Sequence, residues 1–183
     1  MTLSLTEYGF RHSFDCHEVV PPAEANLVRI PPESSAEEGS RLVIGVTPEH
    51  GSAWLGAFRR GFDEYLEALL ECPDSNSLCV VAGGTAYTVT ADDPSQWREL
   101  RVIPTVSAMG YGSRGLLFLA SFNVVAAFDS AMREAWRADL ESDGIEFTGV
   151  DERSLAVRAY MPSFGDWIPR SVSLTDGTAS EAR

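Results

Sequence analysis

Apolar residues along this chain fall in short runs or alternate with polar ones, and turn residues separate the runs, which is the signature of strands rather than helices. The densest stretch lies between Gly115 and Tyr160. It holds two apolar runs, Leu116-Leu117-Phe118-Leu119-Ala120 and Val124-Val125-Ala126-Ala127-Phe128, then an Asp129-Ser130 turn and Glu134 to Leu140. A Ser142-Asp143-Gly144 turn leads on to Ile145 to Val150. Runs apolar at every position belong to central strands covered on both faces, so a second layer or a second subunit has to cover this sheet.

The rest of the chain reads in the same way. Arg41 to Val46 is a strand closed by Thr47-Pro48, and 53–58 is another. Leu78 to Ala82, Gly83-Gly84 and Thr85 to Thr90 form a hairpin, because a two-glycine loop supplies the positive φ angles that tight hairpin turns need. Val102 to Met109, Leu155 to Tyr160 and Ile168 to Leu174 complete the strands. One or two short helices are expected. Phe62, Tyr65, Leu66, Leu69 and Leu70 fit a helical stripe over 62–71 that stops before Pro73, and Asp93-Pro94-Ser95-Gln96 has the caps of a single helical turn. Residues 1–40 differ in texture. The pairs Pro21-Pro22 and Pro31-Pro32 remove amide donors, leaving room for one strand at Asn26 to Ile30 and a solvated loop at 33–40. The reading is an N-terminal arm over 1–40, one β-rich domain over 41–174 and a frayed polar tail over 175–183.

Trp54, Trp97, Trp136 and Trp167 each follow an apolar run and a polar turn. Residues 78–100 and 117–140 match best: two strands, an acidic end (Asp92-Asp93, Asp129), then Trp97-Arg98 or Trp136-Arg137. Periods of about 40 residues belong to blade-like β-meanders. The stretch 115–176 resembles one blade of a quinoprotein-type or WD-type β-propeller, in which a strand ending in acid precedes a tryptophan strand. That resemblance implies a chain built of repeated meanders.

Charge narrows the function. The 183 residues carry 27 acids against 14 bases, all of them Arg, for a net charge of −13. Nucleic-acid binding needs a cationic surface to displace counterions, and an anionic membrane repels the same excess of acid. A basic protein partner suits it. The start of the chain lacks the basic and apolar segments of a signal peptide, and three cysteines, Cys16, Cys72 and Cys79, read as free thiols in a reducing cytosol.

Candidate chemistry is sparse. Gly110-Tyr111-Gly112-Ser113-Arg114-Gly115 spells the dinucleotide pattern G-x-G-x-x-G, but the run after it reads as strand, and the motif needs a helix N-terminus there. Asp139-Leu140-Glu141-Ser142-Asp143-Gly144 starts like a calcium loop, yet Val150 stands where the closing glutamate is required, so a hairpin turn with solvated acids is expected. Cys16, His17, His50, Cys72 and Cys79 lack the paired spacing of a zinc site.

The expected fold is mainly β, with α+β as the alternative: an antiparallel meander or sandwich-like sheet with one or two short helices. No catalytic residue, cofactor or metal is assigned. The expected role is a non-enzymatic, inhibitor- or immunity-like interaction module whose acids Asp139, Glu141 and Asp143 meet a basic protein, with homo-oligomer formation through a sheet face as a further option. The alternative is a small-molecule binder or enzyme with a site between the 47–52 loop, which holds His50, and the 110–115 loop.

Overall fold

Strand pairing dominates the computed structural model, which describes residues 2–23, 25–32, 39–62 and 64–181. Most of the loop expected at 33–40, residues 33–38, lies outside the described residues, as do the last two residues of the tail. The chain is mainly β, as its apolar patterning predicts, and its strands gather in four sheets.

The first sheet has the order β2-β4-β5-β3, with β2 Phe14–Glu18, β3 Leu27–Ile30, β4 Arg41–Pro48 and β5 Trp54–Arg59. The next three are meanders in chain order. The second comprises β6 Ala68–Glu71, β7 Ser77–Ala82, β8 Thr85–Thr90 and β9 Trp97–Leu100, with β1 Leu5–Thr6 added in parallel beside β6. The third is β10 Ser107–Tyr111, β11 Leu116–Ala120, β12 Val124–Phe128 and β13 Glu134–Asp139. The fourth is β14 Ile145–Val150, β15 Ser154–Met161, β16 Asp166–Ser173 and β17 Ala179–Glu181. The blade-like stretch 115–176 therefore contributes to two sheets, the third up to Asp139 and the fourth from Ile145.

The sheets pack face to face in sequence order, and alternation along each strand decides which neighbour a side chain meets. Leu78, Val80 and Ala82 join Leu42, Ile44 and Phe58 between the first and second sheets. Cys79 and Val81, from the other face of β7, join Leu117, Leu119 and Phe128 of the third sheet. Phe118, Ala120, Val125 and Ala127 then meet Leu155, Val157 and Val172 of the fourth. This explains why the runs at 116–120 and 124–128 are apolar throughout: both faces of the third sheet are interior. Each fully buried Leu or Phe there contributes about 1.5–3 kcal/mol. Two indoles tie neighbouring sheets together. Trp54 Nε1 donates to Ala91 O across 2.7 Å, and Trp136 Nε1 donates to Leu174 O across 2.9 Å.

Three expectations need correction. The described residues of 62–71 form no helix. Leu69 packs toward the first sheet and Leu70 toward the third, an alternation that suits β6, and pairing with β7 outweighs the helical stripe. Asp93 does cap its turn, accepting from Ser95 N and Gln96 Nε2, and hydrogen bonds from Ser95 and Gln96 hold its carboxyl below the usual range; but Trp97 enters β9 at once and no helix follows. The only helical element among the described residues is a 3-10 turn at Gly112–Arg114. The strand expected from Val102 begins at Ser107 instead, because Val102 to Val106 cross between sheets, with Thr105 N bonded to Gly84 O.

The N-terminal segment crosses the second sheet to reach its neighbours. Glu71, at the end of β6 and only 1% exposed, accepts from Tyr8 N (2.6 Å) and Phe10 N (3.2 Å), and His12 Nδ1 lies 2.6 Å from its other oxygen. Further along, Ser13 N donates to Ser75 O, and Ser13 O accepts from Glu49 N.

Candidate interaction surface

Each meander of four strands starts and finishes at the same end of its sheet, so the three connections between sheets emerge together. They are residues 60–62 and 64–67 from the first sheet to the second, 101–106 from the second to the third, and 140–144 from the third to the fourth. The turns at Gly83-Gly84, 121–123 and 162–165 share this end with them.

A continuous line of contacts runs across these loops. Phe62 N donates to Gly83 O, and the Phe62 ring stands edge-on to Tyr65 at 5.5 Å between centroids. Tyr65 meets Phe122 at 5.6 Å, again edge-on. Ser142 Oγ donates to Phe122 O, Asp143 N to Tyr160 O, and Phe164 N to Met161 O. Tyr160 stands edge-on to Trp167, whose ring the Arg158 guanidinium covers at 5.3 Å. Glycine is required at the centre of this surface. Gly83 and Gly84 hold φ of +54° and +76°, and a Cβ on Gly84 would press on Tyr65 and Pro104 at 2.9 and 3.0 Å.

Three of the four exposed large apolar side chains among the described residues stand on the loops of this end: Phe62 (57% exposed) and Ile103 (48%) on connections between sheets, and Phe164 (71%) on the 162–165 turn. The fourth, Val20, follows β2 at the outer edge of the first sheet. Asp139, Glu141 and Asp143 are exposed on the same end, together with Glu64 and Asp166. Their segment is not the hairpin turn that the sequence suggests. β13 and β14 belong to different sheets, so 140–144 is a crossover, shaped by Glu141 N donating to Asp139 Oδ1 at 3.0 Å and by a φ of +51° at Glu141.

The other sequence candidates lie elsewhere. Gly110 and Tyr111 finish β10, and the glycine-rich loop closes a hairpin onto β11. Its glycines make room for the N-terminal segment: a Cβ on Gly110 would collide with the Tyr8 ring, and one on Gly112 would stand 2.9 Å from the Tyr8 and Gly9 carbonyls. His50 sits in an exposed bend between β4 and β5, and the second sheet separates it from that loop. His17 faces outward on β2, His12 is at Glu71, and all three cysteines are buried free thiols. Burial pushes the Cys16 and Cys79 thiols up to about 12, with Asp15 adding to the effect at Cys16. Among the described residues no cluster of three or more His, Cys, Asp or Glu is arranged to hold a metal ion, and no helix is long and apolar enough to cross a membrane.

Sequence reasoning missed the aromatic part of this surface. Phe62 and Tyr65 look like a buried stripe, and Phe164 is a single ring inside Pro162-Ser163-Phe164-Gly165. An aromatic residue in a turn, out of phase with any strand, was the available signal. No protein-family model and no curated protein matches the chain.

Proposed function

We propose that this chain is a non-enzymatic interaction module of the inhibitor or immunity kind, which engages a basic protein partner through the acids of its crossover end. The observation that carries this reading is the placement of Asp139, Glu141 and Asp143, all exposed, at the end of β13 and on the crossover that follows it, at the same end of the fold as three exposed apolar side chains. A loop pinned at both ends by strands presents its carboxylates with little conformational freedom left to lose on binding. A net charge of −13 adds long-range attraction for a cationic partner and raises its rate of encounter.

The reading is tested by immobilising the protein and the triple variant D139N/E141Q/D143N, then capturing partners at low and high salt. Retention of a basic protein by the wild type, its release as salt reaches about 0.5 M, and its absence from the variant are the expected results. Retention that is indifferent to both salt and the three substitutions contradicts the proposal.

A further inference from the structure

The apolar side chains of the crossover end say more about the partner than its charge does. Phe62, Ile103 and Phe164 come from three different loops, yet all remain open to solvent on one end of a molecule whose interior is otherwise closed by sheet packing. An exposed Phe in a turn is a liability unless something covers it, and interfaces concentrate their binding energy in such aromatic anchors inside a polar rim. Here the rim is Glu64, Asp139, Glu141, Asp143 and Asp166, each of them exposed. Sheets stack about 10 Å apart, so the ends of four of them span about 30 Å, which suits an interface of ordinary size, about 800 Å² on each side.

We infer that the crossover end is the contact face, that Phe62, Ile103 and Phe164 are its anchors, and that the partner offers an apolar cleft bordered by Arg or Lys. This rests on the proposed reading of the chain as a module for a basic partner, and adds the apolar half of the recognition. Charge complementarity selects that occupant over a second copy of this chain. A twofold contact through the same end would set Asp139, Glu141 and Asp143 against their own counterparts, and like charges across an interface oppose association.

The test uses two synthetic peptides of equal charge: one alternates leucine with arginine, and in the control serine replaces every leucine. Affinities are read by fluorescence anisotropy for the wild-type protein and for Phe164→Ser and Ile103→Ser, two exposed positions where the substitution spares the core. The leucine peptide is expected to bind at least about tenfold more tightly than the control, and each substitution to remove most of that advantage while leaving control binding unchanged. Equal binding of the two peptides overturns the inference and leaves the charge reading standing. Binding of neither peptide overturns both. Sedimentation of the free protein as a dimer that Phe164→Ser dissolves overturns the inference in favour of self-association.

Discussion

Tyr8 N, Phe10 N and His12 Nδ1 converge on one carboxylate, and Glu71 is buried to receive them. Removing such an acceptor leaves the half-buried Tyr8 and Phe10 amides without their partner, which costs more than the hydrogen bonds themselves contributed. Glu71→Ala is therefore expected to destabilise the protein by about 1–3 kcal/mol in urea unfolding and to speed hydrogen exchange at the Tyr8 and Phe10 amides. Unchanged exchange at those amides contradicts the anchoring role. The cysteines make a second prediction at this scale. The Cys16 and Cys79 thiols are raised from about 9 to about 12 chiefly by burial, and burial raises Cys72 as well. An acid held neutral in the fold but free to ionise in the unfolded chain favours unfolding once the pH exceeds its unfolded value. Stability should thus carry no slope from these groups at neutral pH and should fall as pH climbs from about 9 toward 12. Denaturant midpoints at pH 7.5 and 10.5 check this, and equal midpoints contradict it.

At the scale of elements, the strands were legible and their partners were not. The hairpin at Gly83-Gly84 and the doubly covered runs at 116–120 and 124–128 follow from local turn chemistry and from apolarity at every position. The stripe at 62–71 misled because Leu69 and Leu70 satisfy a helical period as well as a strand buried on both faces. Likewise 140–144 looked like a hairpin, since nothing in its residues shows that β14 belongs to another sheet. The glycines of 110–115 were legible as a loop. Their reason, the closeness of Tyr8 and Gly9, involves a segment a hundred residues away in the chain. Gly110→Ala should accordingly dislodge the N-terminal segment, lowering thermal stability and exposing Tyr8, whose hydroxyl burial raises to about 12. Loss of that shift in a spectrophotometric tyrosine titration is the readout. Trp136→Phe keeps an aromatic ring but loses the donor to Leu174 O and part of the buried indole's volume, and is expected to cost about 1–3 kcal/mol.

For the molecule as a whole, three meanders in succession explain why connections made by sequence-distant loops meet at one end. The acids of 139–143 could be named from the sequence because they form a run. The apolar anchors could not, because Phe62, Ile103 and Phe164 come to one end of the molecule only when the sheets stack. Since these side chains lie outside the core, replacing Phe164 should change stability by no more than about 0.5 kcal/mol, in contrast to Glu71. The most direct measurement is hydrogen–deuterium exchange of the protein with and without the leucine–arginine peptide at low salt. Slowed exchange confined to 60–67, 101–106, 139–144 and 162–165 is the predicted result; protection at the opposite end, around 47–52 and 110–115, would contradict the account.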